Sequence, residues 1–406
     1  MPGSVARRAA NLRAFLVVAA SWFAVMASVN LATPLYAVYR QRFGFSSAVL
    51  TAIFAVYALV LVPSLLVFGP LSDRLGRRRV IAGGMVLAMA GLALFAAARS
   101  TGWLFAARAT QGLAVGMVSG AANAALIELE PWPDEGRAAL LSALAQAGGS
   151  AAGPVVAGLL AQWAPAPRAL CFLAALAVIG VALLGVLRVL GPARPPGGGR
   201  PGGRAGIQRP GVPAEIRGRF APVAVTAGAV WAVAALFLSV VPSYAGSLLD
   251  SRNLALLGAI AAIMLAASCG AQIVSQRRGI APARAQPWGL LLLAAALGAL
   301  VLAFPARSLA LLLGGAVLGG AGHGLAFLGA QDDMNRLAPA ARRGEVTAAF
   351  YTWVYLSVAV PIIGVGLLGL EASLFHAVAV FAAVTGATAL LTAGWHVAAG
   401  ARRAAA

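Results

Sequence analysis

Apolar stretches of about twenty residues or more, separated by short gaps that carry arginine, run the length of this chain and leave it few folds to choose from. Backbone in hydrocarbon finds no water for its N–H and C=O groups, so a crossing run must satisfy them internally, as an α-helix does. At about 1.5 Å per residue, roughly 20 residues span about 30 Å of hydrocarbon. Weighing the runs against Pro, Gly and charge predicts spans at 13–39, 46–71, 80–98, 101–127, 137–163 and 168–189, then 219–247, 253–276, 286–304, 308–331, 344–369 and 373–397. With 61% hydrophobic and 10% charged residues over 406 positions, the chain has too little polar surface for a soluble globule. The expected fold is an all-α polytopic membrane protein of twelve helices.

Between the two sets of six lies 191–218, whose run PARPPGGGRPGGRAG is too rich in Pro, Gly and Arg to pack a core. We read it as a cytoplasmic linker joining an N-terminal six-helix bundle, 1–190, to a C-terminal one, 219–406.

The formal charge of +19 would suggest nucleic acid in a soluble protein, yet all thirty cations are arginines and, Arg108 apart, they sit outside the apolar runs or at their ends. The bilayer is the expected partner, and nucleic acid is not. With the N-terminus inside, twenty-three arginines fall on the cytoplasmic side. Six fall on the other side (Arg40, Arg42, Arg99, Arg168, Arg252 and Arg307), and Arg108 alone lies within a span. One span more or fewer would destroy that asymmetry, so both termini are expected in the cytoplasm of a multi-pass cell-membrane protein. The Arg7, Arg8, Arg13 cluster could imitate a signal peptide, but the apolar run continues to Val38 and further spans follow, which favours a retained first helix. Cys171 and Cys269 stand alone in separate spans, without disulfide or zinc spacing. No metal cluster, nucleophile elbow or His/acid pair is apparent, so neither an enzyme, a cofactor nor a metal is expected.

Sliding the chain on itself by 208 residues pairs Pro34 with Pro242, Tyr36 with Tyr244, Arg99 with Arg307, Gly112 with Gly320 and Gly116 with Gly324. Two parallel six-helix halves are one of the known transporter plans, with the solute site at their interface near the midplane.

Between spans 2 and 3 stands Gly69-Pro-Leu-Ser-Asp73-Arg74-Leu-Gly76-Arg77-Arg78-Arg79. This resembles the signature loop of the major facilitator superfamily, position for position. The resemblance implies two pseudo-symmetric bundles and a conformational latch on the cytoplasmic side made by Gly69, Asp73, Arg74, Gly76 and Arg77. In span 4, Arg108-Ala-Thr-Gln111-Gly112 resembles the family's Arg-x-x-Gln-Gly element. In span 5, Gly149, Gly153, Pro154 and Gly158 resemble an element of its twelve-helix drug/proton antiporters, with Ala157 the one departure. Small residues four apart also serve plain close packing, and Pro154 frees a carbonyl and permits bending.

Spans 1, 4, 7 and 10 line the cavity in that family, which nominates Asn30, Tyr36, Arg108, Gln111, Tyr244 and His323 as substrate or coupling residues. All eleven acids fall at predicted helix ends or in loops, with Asp332 the deepest, and His323 is the one mid-span group that titrates near neutral pH. A permanent cation at Arg108 is costly unless it faces a wet cavity or a partner, and it points to a solute with a negative or strongly polar group. The expectation is therefore a secondary transporter of a small organic solute, working as a monomer by alternating access and exchanging solute for protons in efflux. An uptake carrier, or a non-transporting sensor on the same fold, is the competing reading.

Overall fold

The computed structural model describes residues 2–132, 137–191, 210–251, 253–339 and 342–405, so most of the expected linker and the acids Asp134 and Glu135 lie outside the described residues. Among them run fourteen α-helices: α1 (Pro2–Asn30), α2 (Tyr36–Phe43), α3 (Ser47–Leu75), α4 (Arg77–Ala96), α5 (Thr101–Leu129), α6 (Arg137–Trp163) and α7 (Leu170–Val189), then α8 (Arg217–Ser239), α9 (Val241–Leu249), α10 (Leu254–Arg277), α11 (Pro282–Ala303), α12 (Leu309–Leu337), α13 (Arg343–Glu371) and α14 (Leu374–Ala405). Twelve of these helices are long and apolar enough to cross a membrane. The fold is the expected all-α one, in two six-helix bundles, and both termini lie on one face.

Two spans expected to be continuous are broken. The first ends at Asn30, turns over residues 31–35 and resumes as α2; the seventh ends at Ser239 and resumes as α9. Pro34 and Pro242 explain both breaks. A proline has no N–H to give to the preceding turn and clashes with its carbonyl, whereas the first turn of a new helix tolerates it, and Pro242 stands in the first turn of α9. The other starts follow local capping. Ser46, Asn253 and Ser308 accept from the amides of Val49, Leu256 and Leu311 at 3.3, 3.0 and 3.2 Å. Gly76, at φ 87, lets α3 and α4 meet with no other residue between them, in a conformation a side chain would strain.

The buried side chains form two large cores, one spanning Phe15 to Val186 and the other drawn almost wholly from Phe220 to Ala393. Glycines bring helices together in equivalent ways in each. Gly112 and Gly116 of α5 lie on the Tyr57 carbonyl and on Ser64 of α3, while Gly320 and Gly324 of α12 lie on the Met264 and Ser268 carbonyls of α10. The offset of 208 thus marks equivalent positions in this helix pair. At the broken helices it slips: Tyr39 donates to the Phe95 carbonyl at 3.0 Å and Tyr244 to the Leu300 carbonyl at 3.0 Å. The counterpart of Tyr244 is Tyr39, not Tyr36.

Between bundles, α6 packs on α10 and α3 on α13. Gly258 sits under the Pro154 carbonyl, Gly158 under that of Leu254, and Gly366 against Thr51. Gln162 accepts from the Leu254 amide at 2.9 Å. All four contacts lie in the half of the protein away from the termini, so that face is closed.

A Cβ on Gly320 would overlap the Met264 carbonyl, whereas Gly314 has open space around it. Gly320→Val is expected to cost about 1–3 kcal/mol and Gly314→Ala nothing, or to give a small gain. Thermal unfolding of the two variants in detergent measures the contrast.

Candidate functional site

Arg108 enters α5 seven residues from its start, roughly 10 Å along the helix. It is 3% exposed. Two aromatic residues of α3 receive it: its guanidinium carbon lies 4.8 Å from the ring centre of Phe54 and 4.6 Å from that of Tyr57. One terminal nitrogen donates to the Val29 carbonyl at 3.0 Å and to Gln111 Oε1 at 3.1 Å, while its buried Nε has no partner. Helical spacing sets this up, because Arg108 and Gln111 are three residues apart on one face and Phe54 and Tyr57 are three apart on the opposing one. Facing aromatic rings and carbonyl dipoles spread the charge without neutralising it.

The same side chains border a cavity between the bundles. Asn30, Phe54, Tyr57 and Arg108 come from the N-terminal half, and Trp231 and Tyr355 from the other. No carboxylate is among its lining residues, and its free volume of ≈ 70 Å³ holds a few waters. No lining side chain carries a charge opposite to that of Arg108. The free volume is well below the roughly 300–1,000 Å³ of usual ligand pockets.

The other nominated residues scatter. Asn30 donates to the Met26 carbonyl at 3.2 Å at the cavity edge, and Gln111 donates to the Ser28 carbonyl at 3.3 Å while accepting from Arg108. Tyr36 is buried behind Phe54, with ring centres 4.9 Å apart. Tyr244 is spent on the Leu300 carbonyl, inside its own bundle. His323 lies behind Trp231, which packs edge-on against it at 5.2 Å. Its Nδ1 shares a 2.9 Å hydrogen bond with Ser268 Oγ, which also accepts from Gln272 Nε2 at 3.1 Å. His323 Nε2, Gln272 Oε1 and Trp231 Nε1 are buried without partners. The hydrogen-bond partner of His323 is thus a hydroxyl. The carboxylate drawn into this bundle is Asp333, which accepts from buried Gln286 at 2.7 Å, while Asp332 is exposed.

Phe54, Tyr57, Trp231 and Tyr355 were not singled out from the sequence. Tyr57 and Tyr355 look like ordinary span residues there, and only the meeting of α3 with α13 makes them walls. Of the loop residues, Gly69 has open space around its own ideal Cβ position, and its Cα lies 3.7 Å from the ideal Cβ position of Gly120 on α5. Arg77 pairs with Glu128 of α5 at 3.0 Å and also donates to Ser72. Arg74 is exposed, and the side chain of Asp73 lies outside the described residues. On α6, Gly149 and Gly153 lie on the Phe23 and Ala27 carbonyls of α1, while Pro154 and Gly158 form the contact with α10. One short stretch thus packs within its bundle on one face and between bundles on the other.

The sequence profile of the Major Facilitator Superfamily matches residues 17–361. The chain belongs to this superfamily. Solved structures agree in fold. A nucleoside transporter superposes at TM-score 0.70 with 12% identity, over 96% of this chain and 99% of that one. A POT family transporter in complex with 5-aminolevulinic acid gives 0.72 and 13%, over 94% of each chain. A D-xylose-proton symporter gives 0.73 and 15%, over 95% and 97%. No curated protein matches the chain significantly.

An arginine buried without a carboxylate costs stability that function must justify. Arg108→Met is expected to leave stability unchanged or raise it, by up to about 2 kcal/mol. A clear drop in a thermal melt would show instead that the bonds to Val29 and Gln111 make Arg108 a structural cross-link.

Proposed function

We propose that the protein is a secondary active transporter that exports a small organic solute with a negative or strongly polar group, in exchange for protons, across the cell membrane. The observation that carries this reading is Arg108, a fixed cation at a cavity between two bundles with no carboxylate lining it. Only a solute, water or a mobile anion is left to meet its charge.

In this reading the bundles 1–190 and 219–406, joined by the cytoplasmic segment 191–218, rock about the cavity as a monomer. Opening the far face parts α6 from α10 and α3 from α13. Closing the terminus-side face engages Asp73, with Gly69 and Gly76 allowing close approach and Arg74 and Arg77 supplying charge. The Arg77 to Glu128 pair ties that loop to α5, the helix that carries Arg108, so latch and cavity share one rigid element. His323, with Ser268 on one nitrogen and none on the other, is the proton carrier this scheme favours in the C-terminal half. Coupling then runs through Trp231, which separates His323 from the cavity it lines. The Gly149 to Gly158 stretch supports the export direction through its likeness to antiporters.

Everted vesicles containing the protein are expected to release an imposed pH gradient when given the right organic anion, and Arg108→Gln to abolish that release. Robust counterflow of one nutrient with no proton movement would turn the reading to uptake. Asp73→Asn is expected to cut flux at least about tenfold at normal expression; unchanged flux would remove the latch from the scheme.

A further inference from the structure

Three of the five described arginines on the face away from the termini meet at one place. Arg42 at the end of α2, Arg99 just beyond α4 and Arg168 ahead of α7 come from three separate turns and border one cavity of ≈ 330 Å³. Its remaining lining residues are Tyr39, Phe95, Pro167 and alanines, with no acid among them. The surrounding backbone holds these turns together. Tyr39 ties α2 to the Phe95 carbonyl at 3.0 Å, which sets Arg42 beside the turn that carries Arg99. Ala166 adopts φ 53, a left-handed conformation unusual for a residue with a Cβ. The amides of Ala169 and Leu170 return to its carbonyl at 2.9 and 3.0 Å, which places Arg168 and the start of α7 at the cavity.

Arginine on this face works against the charge bias that orients the chain, and three like charges around one cavity repel. Neither cost is offset by a carboxylate of the lining. The depth of the site is marked by Trp103 and Trp163, 37% and 69% exposed in the adjacent end turns of α5 and α6. Tryptophan gathers at the level of lipid headgroups.

We propose that this cavity binds a phosphate-bearing anion, the headgroup of an anionic phospholipid in the leaflet away from the termini. Guanidinium forks match phosphate oxygens in geometry as well as charge, and the first turn of α7 adds the positive end of a helix dipole. The site lies within the N-terminal bundle, apart from the contacts between bundles. A lipid held there would fix that bundle to its leaflet without blocking the movement of the other.

The test uses the purified full chain with phosphatidylglycerol, phosphatidylcholine or inorganic phosphate at matched ionic strength, read by thermal unfolding and by lipid retention in native mass spectrometry. Phosphatidylglycerol is expected to stay bound and to raise the unfolding midpoint, with phosphatidylcholine and inorganic phosphate doing neither. The triple variant R42Q/R99Q/R168Q is expected to bind it roughly a hundredfold more weakly, while R278Q/R284Q on the other face binds as the parent does. A matching shift with inorganic phosphate would keep the anion site but overturn its assignment to lipid. Equal retention by the triple variant, or a loss shared by R278Q/R284Q, would overturn the site itself. The triple variant's midpoint in phosphatidylcholine separates misfolding from lost binding; if it misfolds, R168Q alone, expected to bind about fivefold more weakly, decides the matter.

Discussion

Hydrocarbon supplies no hydrogen-bond partners, and most features of this protein are ways of living with that. Backbone is satisfied within helices, and helices in lipid gain little from burying apolar surface against each other. Close contact must come from dispersion and from carbonyls met at short range, which requires small residues at the crossings. Gly112 on the Tyr57 carbonyl, Gly320 on that of Met264 and Gly258 on that of Pro154 are the same solution used within each bundle and then between them. Where a helix cannot stay intact, at Pro34 and Pro242, the break falls near the far face and a tyrosine of the following helix bonds a carbonyl 56 residues on.

Against that economy Arg108 stands out. Its repeat partner is Ala316, so the charge belongs to one half only. The C-terminal half answers with a polar cluster, Ser268, Gln272 and His323, that leaves two buried polar atoms without partners. The two bundles have kept one packing plan while their interiors took on different chemistry. Arg108 lines the cavity from one half, while in the other Trp231 stands between the cavity and His323.

The twelve spans were legible because hydrocarbon imposes a length and an apolar content that leave local composition little freedom, and the ends of α6 fall where Arg137 and Trp163 place them. The superfamily loop was legible for another reason: Gly69, Asp73, Gly76 and Arg77 are neighbours in sequence. The cavity walls were not. Phe54, Tyr57 and Tyr355 owe their role to which face of α3 meets which face of α13, and apolar residues all around a lipid-bound helix give no periodic signal of that face. Tyr244 shows the converse error. Its match with Tyr36 at a single offset suggested equivalent positions in the two halves, but loop lengths differ between the halves, and the hydrogen bond to Leu300 aligns it with Tyr39.

The closed far face is held by individually weak contacts. Its contacts are glycines on carbonyls, a threonine against Gly366, a small cluster of Ala55, Ala58 and Ala359 nearer the midplane, and the bond from the Leu254 amide to Gln162. The ion pairs among the described residues stay within a bundle, as Arg77 to Glu128 and Arg342 to Glu345 do. A buried ion pair across the interface would cost several kcal/mol to part. Many weak contacts of about 0.1–0.2 kcal/mol per atom pair can instead be exchanged for lipid or water on one side while similar ones form on the other. Two near-equal packings of the same small residues are what a rocking carrier needs. In the transporter we propose, a solute at Arg108, present in one packing and gone in the other, biases the choice between them.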